Sequence, residues 1–235
     1  HLDFDEAVDR IVGGLEKRSR VISDTEKKTI AFHEAGHAIV SWLLKYASPL
    51  MKVSIIPRGK SLGAAWYLPH ERQITTTDQI FHEMCAAMGG RAAEKIMFNK
   101  ISTGALSDLE KVTKQAQAMV TVYGLNAKIG NVSYYDSRGE QSFTKPYSEA
   151  TARIIDEEVS KVIEQAYTKA QEILNLNKNK LTELAEALLQ DEVIFKVDVE
   201  RILGPRPFEE EEVGVKLIEE TPKAVRKVKK KPKSE

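Results

Sequence analysis

The chain has 235 residues, 42% of them hydrophobic and 30% charged, enough to bury one substantial core and too apolar for global disorder. Its 35 basic and 35 acidic side chains cancel, so no excess of positive charge points to nucleic acid. A single cysteine, Cys85, excludes an internal disulfide and fits a reducing compartment, while no apolar run approaches the ~20 residues of a membrane span and nothing reads as a signal peptide.

In chain order, the first clear element is a helix opened by the capping box Ser23-Asp24-Thr25-Glu26 and expected to run to about Lys45. It contains His33-Glu34-Ala35-Gly36-His37, a match to His-Glu-x-x-His. Residues four apart on a helix lie about 40° apart around the axis, so both imidazoles can reach one ion. Glu34 then stands beside the open coordination position, where a carboxylate can take a proton from water and pass it to a leaving amine. The flanks, Ile30, Phe32, Ala38, Ile39, Trp42 and Leu43, are too apolar for a solvated helix face, and polar groups in such surroundings need partners. The pattern is that of zinc-dependent peptide hydrolysis.

After this helix, residues 51–57 and 62–68 read as a β-hairpin. Its connection, Gly59-Lys60-Ser61, superficially resembles the end of a phosphate loop, but that motif needs glycine where Ser54 stands and a helix afterwards, so no nucleotide site is expected in this chain. The second strand carries few charges and is expected to offer its edge to an extended substrate through Gly63, Ala64, Ala65, Trp66, Tyr67 and Leu68. A further helix starts at Thr76-Thr77-Asp78 with the stripe Ile80, Met84 and Met88, and Cys85 falls within it.

Zinc needs a third protein ligand. Metzincins place glycine and histidine three and six residues beyond the second histidine, but those positions hold Val40 and Leu43. His1, His70 and His82 lack supporting context, since His82-Glu83 has Ala86 in place of a second histidine. Two carboxylates remain: Glu94, in Gly89-Gly90-Arg91-Ala92-Ala93-Glu94, and Asp108, in Ser102-Thr103-Gly104-Ala105-Leu106-Ser107-Asp108-Leu109. Thr103-Gly104-Ala105 reads as a turn and Ser107 with Glu110 as a capping box, which places Asp108 in the first turn of a new helix and favours it modestly. Glu94 stays open as the alternative ligand.

That helix is expected to end near Gly124, and residues 131–147 read as a short strand and mobile loop bordering the active site. A long helix begins near Ser148, and residues 181–189 form another. Beyond Gly204-Pro205, an acidic block at 209–212 and a basic block at 223–233 offer almost nothing to bury, so residues 206–235 read as a disordered charged tail.

The succession His-Glu-Ala-Gly-His, Gly-Gly-Arg-Ala-Ala-Glu and Ser-Thr-Gly-Ala-x-Ser-Asp-Leu resembles the peptidase domain of the FtsH family of membrane-anchored, ATP-dependent zinc proteases. The resemblance covers nearly everything up to about Pro205, with Ser107 where the family usually has Asn. It implies that His33, His37 and Asp108 bind Zn2+, that Glu34 is the catalytic carboxylate, and that Glu94 holds a histidine ligand from behind. It implies an α+β fold, mainly α with a small β-sheet, in which a zincin-type metal-binding helix is followed by a hairpin and a helical bundle. Residues 1–22 then resemble the end of an AAA module and its linker, with residues 23–205 as the peptidase. The chain reads as a soluble fragment of a parent in the bacterial inner membrane, with this domain on the cytoplasmic side. ATP and Mg2+ would act only in the AAA module. A homo-hexamer taking unfolded polypeptides is implied for the parent. A non-catalytic adaptor that keeps the metal scaffold is the rival reading, opposed by the intact Glu34, His33 and His37.

Overall fold

A computed structural model describes residues 22–57, 62–67, 73–135 and 146–208. Six α-helices and a three-stranded antiparallel sheet make up the described fold, the mainly helical α+β class expected. None of these helices is long and apolar enough to cross a membrane.

Helix α1, Asp24–Trp42, starts where its capping box predicts: Ser23 Oγ accepts the Glu26 N–H, and the Glu26 carboxylate accepts the Ser23 N–H at 3.1 Å. It ends three residues before the expected Lys45. Every residue from Ile30 to Trp42 is buried, which makes this a central helix enclosed on all sides. The chain then enters β1, Leu50–Ser54, and returns as β2, Ala64–Tyr67. Both strands are shorter than the 51–57 and 62–68 expected, and residues 58–61 and 68–72 lie outside the described residues.

Helix α2, Thr77–Phe98, is capped by Thr76 and Gln79 and packs its small and apolar residues against α1. A 3₁₀ turn, Thr103–Ala105, leads into α3, Leu106–Thr121. Here one expectation fails: Ser107 is not an N-cap. The helix is already under way at Leu106, because Ser102 opens the preceding turn by accepting the Gly104 N–H, and Glu110 pairs with Lys114 instead of reaching back. Asp108 nonetheless lies in the first turn. Gly124, at φ +63°, follows the helix as expected. The strand expected after Asn131 is absent among the described residues; Tyr134 N–H instead donates to the Thr121 carbonyl.

Helix α4, Glu149–Leu176, capped by Ser148, and α5, Lys178–Asp191, complete the bundle around α1 and α2. A strand absent from the sequence reading follows: β3, Val193–Phe195, pairs antiparallel with β1 and gives the sheet order β2-β1-β3. Helix α6, Lys196–Leu203, closes the described fold. Its exit is tied to the end of α1, since Trp42 Nε1 donates to the Gly204 carbonyl and the Arg206 guanidinium donates to the carbonyls of Leu44 and Ala47. Residues 1–21 and 209–235, which carry most of the expected linker and tail, lie outside the described residues.

Candidate active site

The two histidines of α1 are buried, and each uses Nδ1 on a neighbour from α2. His33 Nδ1 bonds the Glu94 carboxylate at 2.7 Å, and His37 Nδ1 bonds the Ala86 carbonyl at 2.8 Å. A carbonyl can only accept, so His37 carries a proton on Nδ1 and turns its Nε2 lone pair the other way. Both Nε2 atoms face Asp108, whose Oδ2 lies 3.3 Å from that of His33 and 3.5 Å from that of His37. His33, His37 and Asp108 thus form a group of ligand atoms within 4.8 Å of one another that can hold a metal ion. Tetrahedral zinc with ligands at about 2.0–2.1 Å separates its ligand atoms by roughly 3.3 Å, which the carboxylate-to-imidazole spacings match. The donor set of two nitrogens and one oxygen is also the kind zinc accepts.

The electrostatics have the same sign. Burial works against an imidazolium at His33, but hydrogen bonds to Asp108 and Glu94, with the charges of Glu34 and Asp108, overcome it and push its pKa up to about 10. Burial also opposes ionisation of Asp108, yet its bonds to His33 and His37 hold it well below the usual carboxylate range. Three carboxylates around two imidazoles make this largely buried cluster demand positive charge.

Glu34 has a different environment. Burial raises its carboxyl above the ordinary value, and Asp108 adds to this against the opposing charges of His37 and His33. Glu94 is held lower than usual, because the His33 bond and two bonds from Ser102, its N–H at 2.7 Å and its hydroxyl at 3.0 Å, outweigh burial. It stands on the Nδ1 side of His33, away from the ring of ligand atoms.

Glycines make room for this arrangement. A β-carbon on Gly90 would collide with the His33 imidazole, and one on Gly89 would come within 2.6 Å of the Gly36 carbonyl. Gly63, just before β2, lies so close to α1 that its β-carbon would meet Glu34 Oε1 at 2.8 Å. The strand expected to take substrate therefore begins beside the carboxylate expected to act as base. Of its six residues, Leu68 lies outside the described residues, as do His1 and His70. His82 has a structural partner, accepting the Tyr46 N–H at Nδ1, and Glu83 accepts from Gln115.

The sequence reading missed Ala86, Ser102 and the spatial role of Gly89 and Gly90. Ser102 left a trace as part of the motif that contains Asp108, and Gly89 and Gly90 as part of the one that contains Glu94; a backbone carbonyl such as that of Ala86 leaves none in side-chain identity.

Comparison with known proteins agrees with this geometry. The family model described as Peptidase family M41 matches residues 20–202. The ATP-dependent zinc metalloprotease FtsH of Parabacteroides distasonis is 59% identical over 207 residues, covering 88% of this chain and 30% of that protein. A protein of the same name from Karelsulcia muelleri is 53% identical over 203 residues, covering 86% and 33%. The mitochondrial inner membrane m-AAA protease component AFG3L1 of Mus musculus is 47% identical over 219 residues, covering 93% and 28%. The chain spans about a third of the length of these curated relatives. With a family match across most of its length and a His-His-Asp cluster suited to zinc, the chain belongs to peptidase family M41 and carries a zinc metallopeptidase domain.

Proposed function

We propose that this chain is the proteolytic domain of a membrane-anchored, ATP-dependent protease that degrades unfolded membrane and cytoplasmic proteins. The observation that carries the reading is the convergence of His33, His37 and Asp108 with Glu34 next to them on the same helix. His33 and His37 would bind zinc through Nε2 and Asp108 through Oδ2. Zinc there supplies Lewis-acid polarisation of a peptide carbonyl and brings the pKa of water toward ~7.

The chain's own groups do the rest. Glu34 takes a proton from the attacking water as its oxygen bonds to the carbonyl carbon, then gives that proton to the amine nitrogen as the C–N bond breaks. Burial makes Glu34 a stronger base than an exposed carboxylate. Glu94 and the Ala86 carbonyl accept the Nδ1 protons, which orients both imidazoles and keeps their Nε2 lone pairs available. An extended substrate adds to the outer edge of β2, a reading supported by the sheet order β2-β1-β3 and by the closeness of Gly63 to Glu34.

We assign residues 1–22 to the end of an AAA module and its linker, residues 23–205 to the peptidase and residues 206–235 to a charged tail. In the parent protein, ATP and Mg2+ act in the AAA module, and a homo-hexamer at the bacterial inner membrane holds this domain on the cytoplasmic side.

Digestion of unfolded casein, with zinc content measured on the same samples, tests the reading in wild type and Glu34→Gln. The expected outcome is cleavage lost in the variant with zinc retained. Undiminished cleavage by Glu34→Gln would remove Glu34 as the base, and a zinc-loaded wild type that cuts nothing even when joined to its ATPase would leave only a scaffold.

A further inference from the structure

We propose that Ser102 is a positioning residue for the metal site: its hydroxyl joins the support of His33 to the turn that carries Asp108, and so sets the spacing between these two groups. The inference rests on the reading of His33 and Asp108 as zinc ligands.

Glu94 is only 2% exposed, and a carboxylate at that depth needs hydrogen bonds to every side. Its Oε1 takes the His33 Nδ1 proton at 2.7 Å and the Ser102 hydroxyl at 3.0 Å, and its Oε2 takes the Ser102 N–H at 2.7 Å. Two of these three bonds come from Ser102. Ser102 itself is exposed and adds nothing to the core, so packing does not account for its side chain; the bonds do.

The direction of the network is fixed. The Gly104 N–H can only donate, so its 3.1 Å bond ends on a lone pair of Ser102 Oγ and leaves the hydroxyl proton for Glu94 Oε1. The chain therefore runs one way, from Gly104 through Ser102 to Glu94, where His33 arrives from the other side. Each bond polarises the next. Gly104 permits the approach, since a β-carbon there would stand 3.1 Å from Ser102 Oγ and 3.9 Å from Glu94 Oε1.

The same hydroxyl starts the segment that delivers Asp108. Helix α3 has no side-chain cap of its own: Ala105 precedes it without a cap bond, and the Leu106 N–H donates to the Thr103 carbonyl, so the turn at Thr103–Ala105 passes straight into the helix. Ser102 caps the whole stretch. Asp108 then lies in the first turn of α3, with Oδ2 3.3 Å from His33 Nε2. The His33 ring is thus gripped on both sides, at Nδ1 through Glu94 and at Nε2 through the turn and Asp108, and Ser102 is common to both paths. Apolar packing of α3 on α2 is non-directional and does not fix this spacing, whereas hydrogen bonds with preferred angles do.

The test measures Zn2+ affinity by competition with a chromogenic chelator and, on the same chain loaded with Co2+, the visible absorption that reports ligand geometry. Ser102→Ala should weaken Zn2+ binding about tenfold and shift the Co2+ bands, while lowering the Tm of the metal-free chain by no more than about 4 °C, the loss of one cap in a domain of this size. Ser102→Thr keeps the hydroxyl, on an extended backbone that suits a β-branched residue, and should restore both affinity and spectrum. In a Glu94→Ala background Ser102→Ala should weaken binding by much less than that factor, since one of its partners is already gone. Wild-type affinity and spectrum in Ser102→Ala would overturn the positioning role, while Asp108→Ala, measured alongside, would still lose zinc and keep the ligand reading. Stoichiometric zinc in Asp108→Ala would instead overturn the ligand reading and this inference with it. A fall in Tm with an unchanged Co2+ spectrum would reduce Ser102 to a helix cap and also overturn the proposal.

Discussion

Gly36 on α1 and Gly89 on α2 meet backbone to backbone: each glycine occupies space that a β-carbon on the other would need, with the Gly36 carbonyl only 2.6 Å from where a β-carbon added to Gly89 would stand. The contact brings α2 close enough for the Ala86 carbonyl to hold His37 and for Glu94 to hold His33.

Both glycines lie inside helices, where Gly→Ala ordinarily gains about 1 kcal/mol. Overpacking a tight contact costs typically ~1–3 kcal/mol, and here the obstructing atoms are backbone and cannot rotate away. Gly36→Ala and Gly89→Ala are therefore expected to lower stability in denaturant unfolding despite better helix propensity. A stability gain in either would show that the helices can separate at little cost.

Gly90 faces the imidazole of His33, and its substitution should act on the metal before the fold. Gly90→Ala is expected to reduce zinc affinity on the order of 10–100-fold, as other changes that reorient a ligand imidazole do. Competition with a chromogenic chelator measures it, and wild-type affinity would mean that His33 is not a ligand or that its ring has another productive position.

Asp108 and Glu94 are separated by what the His33 ring presents to each. Asp108 faces Nε2 and Glu94 faces Nδ1. Asp108→Ala should abolish stoichiometric zinc binding, and Glu94→Ala should weaken it about 10–100-fold. The reverse order in metal analysis would make Glu94 the ligand and reopen the His-His-Glu alternative.

Cys85 is fully buried on α2, and burial pushes its thiol from 9.0 to about 12. Between those values the unfolded chain has released the thiol proton while the folded chain keeps it. The unfolded state then binds fewer protons, so this contribution makes stability fall as pH rises from about 9 toward 12. Cys85→Ala should show a shallower alkaline loss of stability in denaturant titrations. At pH 8 the native thiol should resist disulfide reagents and react only on unfolding; rapid labelling of the native chain would contradict the burial.

The metal-binding helix was legible because everything that defines it is local. A capping box spans four residues and the two histidines are four apart, so helix geometry alone brings their rings together. The same holds for the capped starts of α2 and α4, whose signals lie within one turn. The false N-cap at Ser107 shows the limit of such reasoning: its pattern with Glu110 was valid, but Ser102 had already opened the turn and Lys114 had taken Glu110. Strand β3 escaped notice because three residues carry no periodicity, and its existence depends on the open side of β1.

By itself, then, the sequence determined a two-histidine helix with an adjacent carboxylate, and narrowed the third ligand to two acids. Which acid faces Nε2 was a tertiary matter, because Glu94 lies 61 residues and Asp108 75 residues from His33, and only the packing of α2 against α1, and of α3 against α2, assigns each to one side of the ring. The glycine contacts belong to the same class. A residue's identity states which contact it can make, but the partner's position comes from chain segments folded together over long separations.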